Sequence, residues 1–144
     1  MGKERAGRPL PSLEGLNGEF HAHCARGVLA FQTCRACGRW QHPPRLQCPA
    51  CGSEDLGWRE SSGRGRLHTW TVTHQAFHPA FEAEIPYAIA VTELDEGVRL
   101  VSGVRELRLE DLALDLPVEV VLETVAEGIA LPFVRPRREP SRKR

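Results

Sequence analysis

Apolar and polar positions alternate over much of the second half of the chain, with the period of two expected of half-buried strands. Leu67 to His74 is rich in Thr, Trp and Val. Tyr87 to Leu94 follows Pro86 and runs into Asp95-Glu96-Gly97, a turn that leads to Val98 to Val104, so this pair is a predicted hairpin. Pro117 opens a further strand, Val118 to Val125, with Val118, Val120 and Leu122 on one face and Glu119 and Glu123 on the other. A turn at Glu127-Gly128 leads to a last strand, Ile129 to Val134. Between the third and fourth strands, Leu109 to Leu114 reads as a short helical turn with two acids near its start.

The fold class is therefore mainly β. Five short antiparallel strands with one helical turn between the third and fourth fit a closed barrel of the oligonucleotide/oligosaccharide-binding (OB) type; a small β-sandwich is the alternative. The pattern changes upstream. Residues 12–30 read as a helix, with Ser12 as N-cap, Leu13, Leu16, Phe20 and Cys24 at helical spacing, and Gly27 as the stop. Gly15 and Gly18 weaken this helix, so it gains order by packing on something. The expected organisation is a mobile charged arm (1–11), the helix (12–30), a cysteine-bearing unit (31–58), the barrel (63–134) and a basic, disordered tail (135–144).

Length and composition suit one compact unit with a small appendage: 144 residues, 41% apolar and 26% charged. The formal net charge is zero, which gives no support for a nucleic-acid or acidic-membrane partner. The charge is uneven, however. Nine acids against three arginines lie between Asp95 and Glu127, and six bases against Glu139 between Arg135 and Arg144. The charged start is unlike a signal peptide, and no window is apolar enough to span a bilayer, so a cytoplasmic location with reduced thiols is expected.

Four of the five cysteines form two pairs, Cys34-Arg35-Ala36-Cys37-Gly38 and Cys48-Pro49-Ala50-Cys51-Gly52, with ten residues separating Cys37 from Cys48. Two intervening residues let both thiolates of a pair reach one tetrahedral ion, with a Zn–S distance of about 2.3 Å. A glycine after each pair lets the backbone curl at positive φ so that N–H groups face the sulfurs. The reading is one structural zinc in a ribbon; four thiolates leave no open position for catalysis. Two disulfides do not suit the compartment, a redox CxxC needs one pair, and an iron–sulfur cluster is disfavoured by the tight spacing. His42, between the pairs, is expected at the surface. Cys24 is expected to be a small buried hydrophobe.

No catalytic constellation is evident. Nucleophile-elbow, Walker and GxGxxG motifs are missing, and Gly63-Arg64-Gly65 reads as a turn into the barrel. The stretch from Trp70 to Tyr87, with Phe77 and Phe81, lacks a strand pattern from Gln75 to Ile85, and such a long aromatic loop is a place for a partner or ligand contact or for core completion.

These residues resemble a known family. The order is a helix bearing Phe20, the double CxxCG ribbon, GSEDLGWRESSGRGRLHTWTVTH (52–74), PYAIAVTELDEGVRLVSGV (86–104), EDLALDLPVEVVLE (110–123) and LPFVRPR (131–137). It is similar to acyl-CoA-associated proteins with a rubredoxin-like zinc ribbon and an OB-fold, long catalogued as a domain of unknown function. The resemblance implies a non-catalytic accessory subunit. Its partner would be a thiolase-superfamily enzyme, such as a lipid-transfer-protein-like aldolase acting on steroid side-chain CoA thioesters, in a hetero-oligomer whose acyl-CoA channel it helps to form. Related domains pair with hydratases. Carried over, Cys34, Cys37, Cys48 and Cys51 match the family's zinc ligands. Leu13, Leu16, Phe20, Trp70, Phe77 and Phe81 are the expected partner or acyl-CoA contacts. A single-stranded nucleic-acid binder is the alternative, disfavoured because the hairpin and fourth strand are acid-rich where a basic groove is needed.

Overall fold

The structure is a computed structural model and describes residues 7–138. Helix α1 (Gly15–Ala25) precedes strands β1 (Ala30–Cys34), β2 (Trp40–Gln41) and β3 (Leu56–Glu60), which form a small antiparallel sheet in the order β2-β1-β3. Strands β4 (Arg64–Thr73), β5 (Tyr87–Leu94), β6 (Arg99–Val104), β7 (Pro117–Ala126) and β8 (Ile129–Pro136) follow as a closed barrel in the order β4-β5-β6-β8-β7. Short 3-10 turns at Pro79–Phe81 and Leu109–Asp111 interrupt the two long connections. The barrel excludes the sandwich alternative, and the helical turn stands where the alternation placed it.

The barrel closes through two different seams. β4 and β7 pair antiparallel through Arg64–Glu119, Gly65–Val118 and Arg66–Pro117. β6 and β8 pair in parallel, and only through Gly103–Phe133 and Val104–Val134. Along β5 the inward positions Ala88, Ala90, Thr92 and Leu94 are buried, as period two requires.

Helix α1 is shorter than the 12–30 expected. Ser12 is not its cap: the helix begins after Glu14, which makes no side-chain cap bond, while the Ser12 hydroxyl accepts from the Glu14 N–H at 3.3 Å. Gly18, read as a weakening residue, has a packing reason. A Cβ there would collide with the carbonyl of Leu13, so the glycine seats the preceding turn against the helix.

The packing partner that the helix needs is the chain's own barrel. Phe20 and Cys24 are 3% and 1% exposed and share one core with Leu29 and Phe31 of the ribbon end and Leu94, Leu100 and Ala130 of the barrel. The Trp58 indole N–H, in β3, donates to Glu19 of α1 at 3.2 Å. Burying a phenylalanine contributes about 1.5–3 kcal/mol, so Phe20 and Phe31 tie helix, ribbon and barrel into one unit. A second core inside the barrel holds Leu67, Ala90, Val118 and Val134, with Trp70 and Leu116 packed on it.

The chain ends also differ from expectation. β8 continues through Arg135 and Pro136, because Arg135 pairs with Glu119 of β7 at 3.0 Å. The remainder of the expected tail, 139–144, and residues 1–6 of the expected arm lie outside the described residues. Within the arm, Arg8 forms an ion pair with Glu84 and stacks 5.6 Å from the centre of the Phe81 ring, which fixes it to the barrel.

Candidate metal centre and ligand cleft

The two cysteine pairs converge. Cys34 and Cys37 lie at the end of β1 and in the turn after it; Cys48 and Cys51 form the facing knuckle before β3. Their four sulfurs all lie within 4.8 Å of one another, and the cross-knuckle separations Cys34–Cys51 and Cys37–Cys48 are both 3.6 Å. A tetrahedral zinc with 2.3 Å Zn–S bonds requires sulfurs about 3.8 Å apart, so the residues present fit one ion.

The knuckles are locally equivalent. The N–H of Gly38 donates to the Cys34 carbonyl and that of Gly52 to the Cys48 carbonyl, each at 2.8 Å. Gly38 and Gly52 hold φ of 78° and 75°, which a residue with a side chain adopts only with strain. Backbone N–H groups of Cys37 and Ala36 lower the Cys34 thiol, and those of Cys51 and Ala50 lower Cys48 to about 7. The Ser53 N–H also favours a thiolate at Cys51, but crowding by Cys34, Cys37 and Cys48 outweighs it and pushes Cys51 up to about 12. Four thiolates this close cannot all ionise without a cation between them, and the closed shell they form is structural.

His42 is a correction. It is not a surface residue: its ring sits 4.7 Å from Phe20 and 5.2 Å from Phe31, centre to centre. Burial, with a smaller contribution from His21, lowers its pKa to about 4, and the Nδ1 atoms of both histidines are buried without a partner among the described residues.

The expected contact residues separate into three groups. Phe20 is 3% exposed and packs in the chain's own core. Trp70, in β4, is half-buried against the barrel core. Leu13 and Phe77 are 52% and 88% exposed, Leu16 is half-buried, and Phe81 is half-buried against Tyr87 with ring centres 6.0 Å apart.

Phe81 and Tyr87 are part of a feature that the sequence did not display. A cavity of about 380 Å³ opens between the loop 79–86, the edge of β5 and β6, and β8. Its walls include Tyr87, Ile89, Leu107, Val125, Leu131 and Phe133. Gly103 is among the lining residues: a Cβ there would lie 2.9 Å from the Phe133 ring, so glycine lets β6 approach β8 at their short seam. A lone glycine inside a predicted strand was the available signal. The Arg105 guanidinium lies 3.8 Å from the Phe133 ring centre, and two of its nitrogens donate to the Glu123 carboxylate at 2.8 and 3.2 Å. Among the described residues, no helix is long and apolar enough to cross a membrane.

Comparison with known proteins fits this architecture. Residues 21–57 match the family described as the rubredoxin-like zinc ribbon domain of ChsH2, and residues 58–123 the ChsH2 C-terminal OB-fold domain. The chain is 34% identical over 134 residues to a probable enoyl-CoA hydratase alpha subunit of Thermomonospora curvata, covering 93% of this chain and 41% of that protein. It thus spans less than half the length of that relative. It is 33% identical over 106 residues to a DUF35 domain-containing scaffold protein of Methanocaldococcus jannaschii, covering 73% and 72% of the two chains. Among solved structures it superposes on a chain of the Ltp2-ChsH2(DUF35) aldolase with a TM-score of 0.80 and 33% identity, covering 88% of this chain and 98% of that one. With ribbon and barrel both matched, this chain belongs to the DUF35 family, the zinc-ribbon and OB-fold proteins that include the corresponding domains of ChsH2.

Proposed function

We propose that the chain is a non-catalytic accessory subunit of an acyl-CoA enzyme, binding a thiolase-like, lipid-transfer-protein-like partner and helping to form its acyl-CoA site. The reaction would be retro-aldol cleavage of a steroid side-chain CoA thioester or a related acyl-CoA condensation or cleavage. The observation that carries this reading is the apolar cleft itself. It is large enough for a ligand, and its lining is mostly carbon; the acid–base groups on it are Glu84, which is paired with Arg8, and Tyr87, with no Ser, Thr, Cys, His or Asp among the described lining residues. A concave, mainly apolar site whose lining carboxylate is held in an ion pair suits a protein that shapes a ligand path for chemistry done elsewhere. The names of two relatives, an aldolase containing ChsH2(DUF35) and a hydratase alpha subunit, support membership of such a complex.

The hydratase relative also favours a second reading, in which the partner is a hydratase. Co-expression with a thiolase-like and with a hydratase candidate, followed by size-exclusion chromatography and turnover assays, separates the two. A stable complex with the thiolase-like protein, active on acyl-CoA, is the expected result. A complex only with the hydratase selects the second reading, and no complex with either refutes the accessory role.

A further inference from the structure

The seam between β6 and β8 stops where the backbone runs out of donors. Parallel pairing at Gly103–Phe133 and Val104–Val134 sets a ladder in which the Arg105 N–H donates to the Val134 carbonyl at 2.8 Å. Continued one step, that ladder would run from the N–H of residue 132 to the Val101 carbonyl, but residue 132 is proline and has no N–H. The Val101 N–H would in turn reach for the carbonyl of Ala130, and that carbonyl faces the His21 imidazole of α1, whose protonated form it favours. β5 does not satisfy Val101 either. The Leu94 N–H donates to the Val98 carbonyl at 2.9 Å, and from that pair the antiparallel alternation makes Thr92–Leu100 and Ala90–Ser102 the hydrogen-bonded pairs and Val91–Val101 a non-bonded one. Both backbone groups of Val101 therefore face the gap between β6 and β8, without a partner among the described residues.

A cavity of about 300 Å³ occupies this gap, along residues 100–103 of β6 and 131–133 of β8, with Asn17 and His21 of α1 and His42 among its walls. The Val101 side chain beside it is 63% exposed. Among the described residues no Asp, Glu, Lys or Arg lines the cavity, and burial disfavours the charged form of both histidines. An occupant must offer one acceptor and one donor to Val101 at strand spacing, about 4.8 Å from the β6 backbone, and bring no charge into the gap. An extended peptide backbone with an apolar residue at that point meets all of these requirements. The chain's own ends suit the gap poorly, since residues 1–6 carry Lys3, Glu4 and Arg5, and residues 139–144 carry Glu139, Arg142, Lys143 and Arg144. Among the described residues, a second copy offers as free sheet edges the two-residue β2 and the charged β3, with Arg59 and Glu60. We infer that the split seam is a docking slot in which an extended, uncharged segment of the enzyme partner adds to the edge of β6 at Val101. The inference rests on the accessory reading above for the source of that segment.

Hydrogen exchange of the full, zinc-loaded chain, alone and with the candidate thiolase-like partner, tests this residue by residue. In the isolated chain the Val101 amide should exchange at least tenfold faster than those of Leu100 and Ser102, which the β5 ladder protects. In the complex it should slow at least tenfold. A capped peptide, acetyl-Ala-Val-Ala-Val-amide, should slow it as well, and the copy N-methylated at every residue should not. Val101→Pro removes the donor without touching a bond to β5, so it should weaken the complex at least tenfold at unchanged zinc content. Val101→Ala, which keeps both backbone groups, should stay within threefold. The exchange measurements decide the matter should the proline variant fail to fold. A Val101 amide already slow in the isolated chain, or left fast in a stable complex, would overturn the inference, as would Val101→Ala weakening the complex as much as a folded Val101→Pro. Protection that grows with the chain's own concentration, without partner, would give the slot to a second copy and overturn it too. The two readings fail separately. A stable complex with Val101 unprotected sinks this inference alone. If no complex forms, the accessory role fails and the peptide decides the slot, with an unprotected Val101 overturning it.

Discussion

Lowering the pH should weaken the joint between helix, ribbon and barrel through His42. The imidazole packs against both Phe20 and Phe31, and among the described residues no acid or base other than His21 lines the pocket that the two histidines share. Its folded pKa is about 4 against 6.5 in an exposed chain, because burial, and secondarily His21, disfavours the cation. A histidine depressed in this way contributes stability that is complete above the unfolded value and is lost as pH falls from 6.5 toward 4. At pH 5 the loss from this one group is about 2 kcal/mol, from 1.36 kcal/mol per pKa unit applied to the two protonation equilibria. The pKa of His21 is lowered too, by burial, and acts in the same direction. The assay is urea unfolding of the zinc-loaded chain from pH 7.5 to 5.0, run beside His42→Gln. Protonation of zinc thiolates also destabilises the chain in acid, but it does so equally in both proteins. The difference between them should therefore shrink by about 2 kcal/mol over this range. A difference that stays constant with pH would show that His42 is not held neutral by its neighbours, and would refute the packing argument.

Other substitutions distinguish core from contact surface. Phe20→Ala should cost the isolated chain about 3–5 kcal/mol, measured by urea or thermal unfolding, because a fully buried ring is removed from the shared core; an unchanged midpoint would return Phe20 to the interface. Phe77→Asp should leave isolated-chain stability within about 0.5 kcal/mol, since the ring is 88% exposed, while weakening capture of the partner in a pull-down. Cys37→Ser should lower zinc to well below one ion per chain by elemental analysis and destabilise the ribbon, since structural zinc contributes on the order of 10 kcal/mol to such a unit; full zinc retention would contradict the four-thiolate site. Single-stranded DNA should bind weakly at low salt and be released at moderate salt, read by fluorescence anisotropy; tight, salt-resistant binding lost in Trp70→Ala would favour the nucleic-acid reading.

The parts of the molecule that were legible in the sequence are those set by local spacing. Two CxxCG knuckles specify a ligand set because the metal itself brings distant sulfurs together, and period-two alternation specifies strands because the two faces of a pleat differ in burial. What was not legible depends on which surfaces meet. The spacing of Phe20 and Cys24 marks an apolar helix face, but it cannot say whether a partner or the chain's own barrel covers it; here Leu94, Leu100 and Ala130 do. His42 reads as a loop residue until Phe20 and Phe31, themselves stacked on each other, are placed against it. The helix start was set at Ser12 because its hydroxyl suits a cap, whereas the hydroxyl serves the turn before the helix instead. The cleft is built from five separated segments, 8–10, 81–89, 103–109, Val125 and 131–133, so no window of the sequence contains it.

The accessory role is tested most directly by co-expressing the full chain with its candidate thiolase-like partner and measuring mass by light scattering during size-exclusion chromatography, with acyl-CoA turnover assayed across the peak. The account predicts a stable hetero-oligomer that carries the activity, with this chain inactive alone and the partner impaired without it. Separate elution of the two chains, with the partner fully active alone, would contradict it.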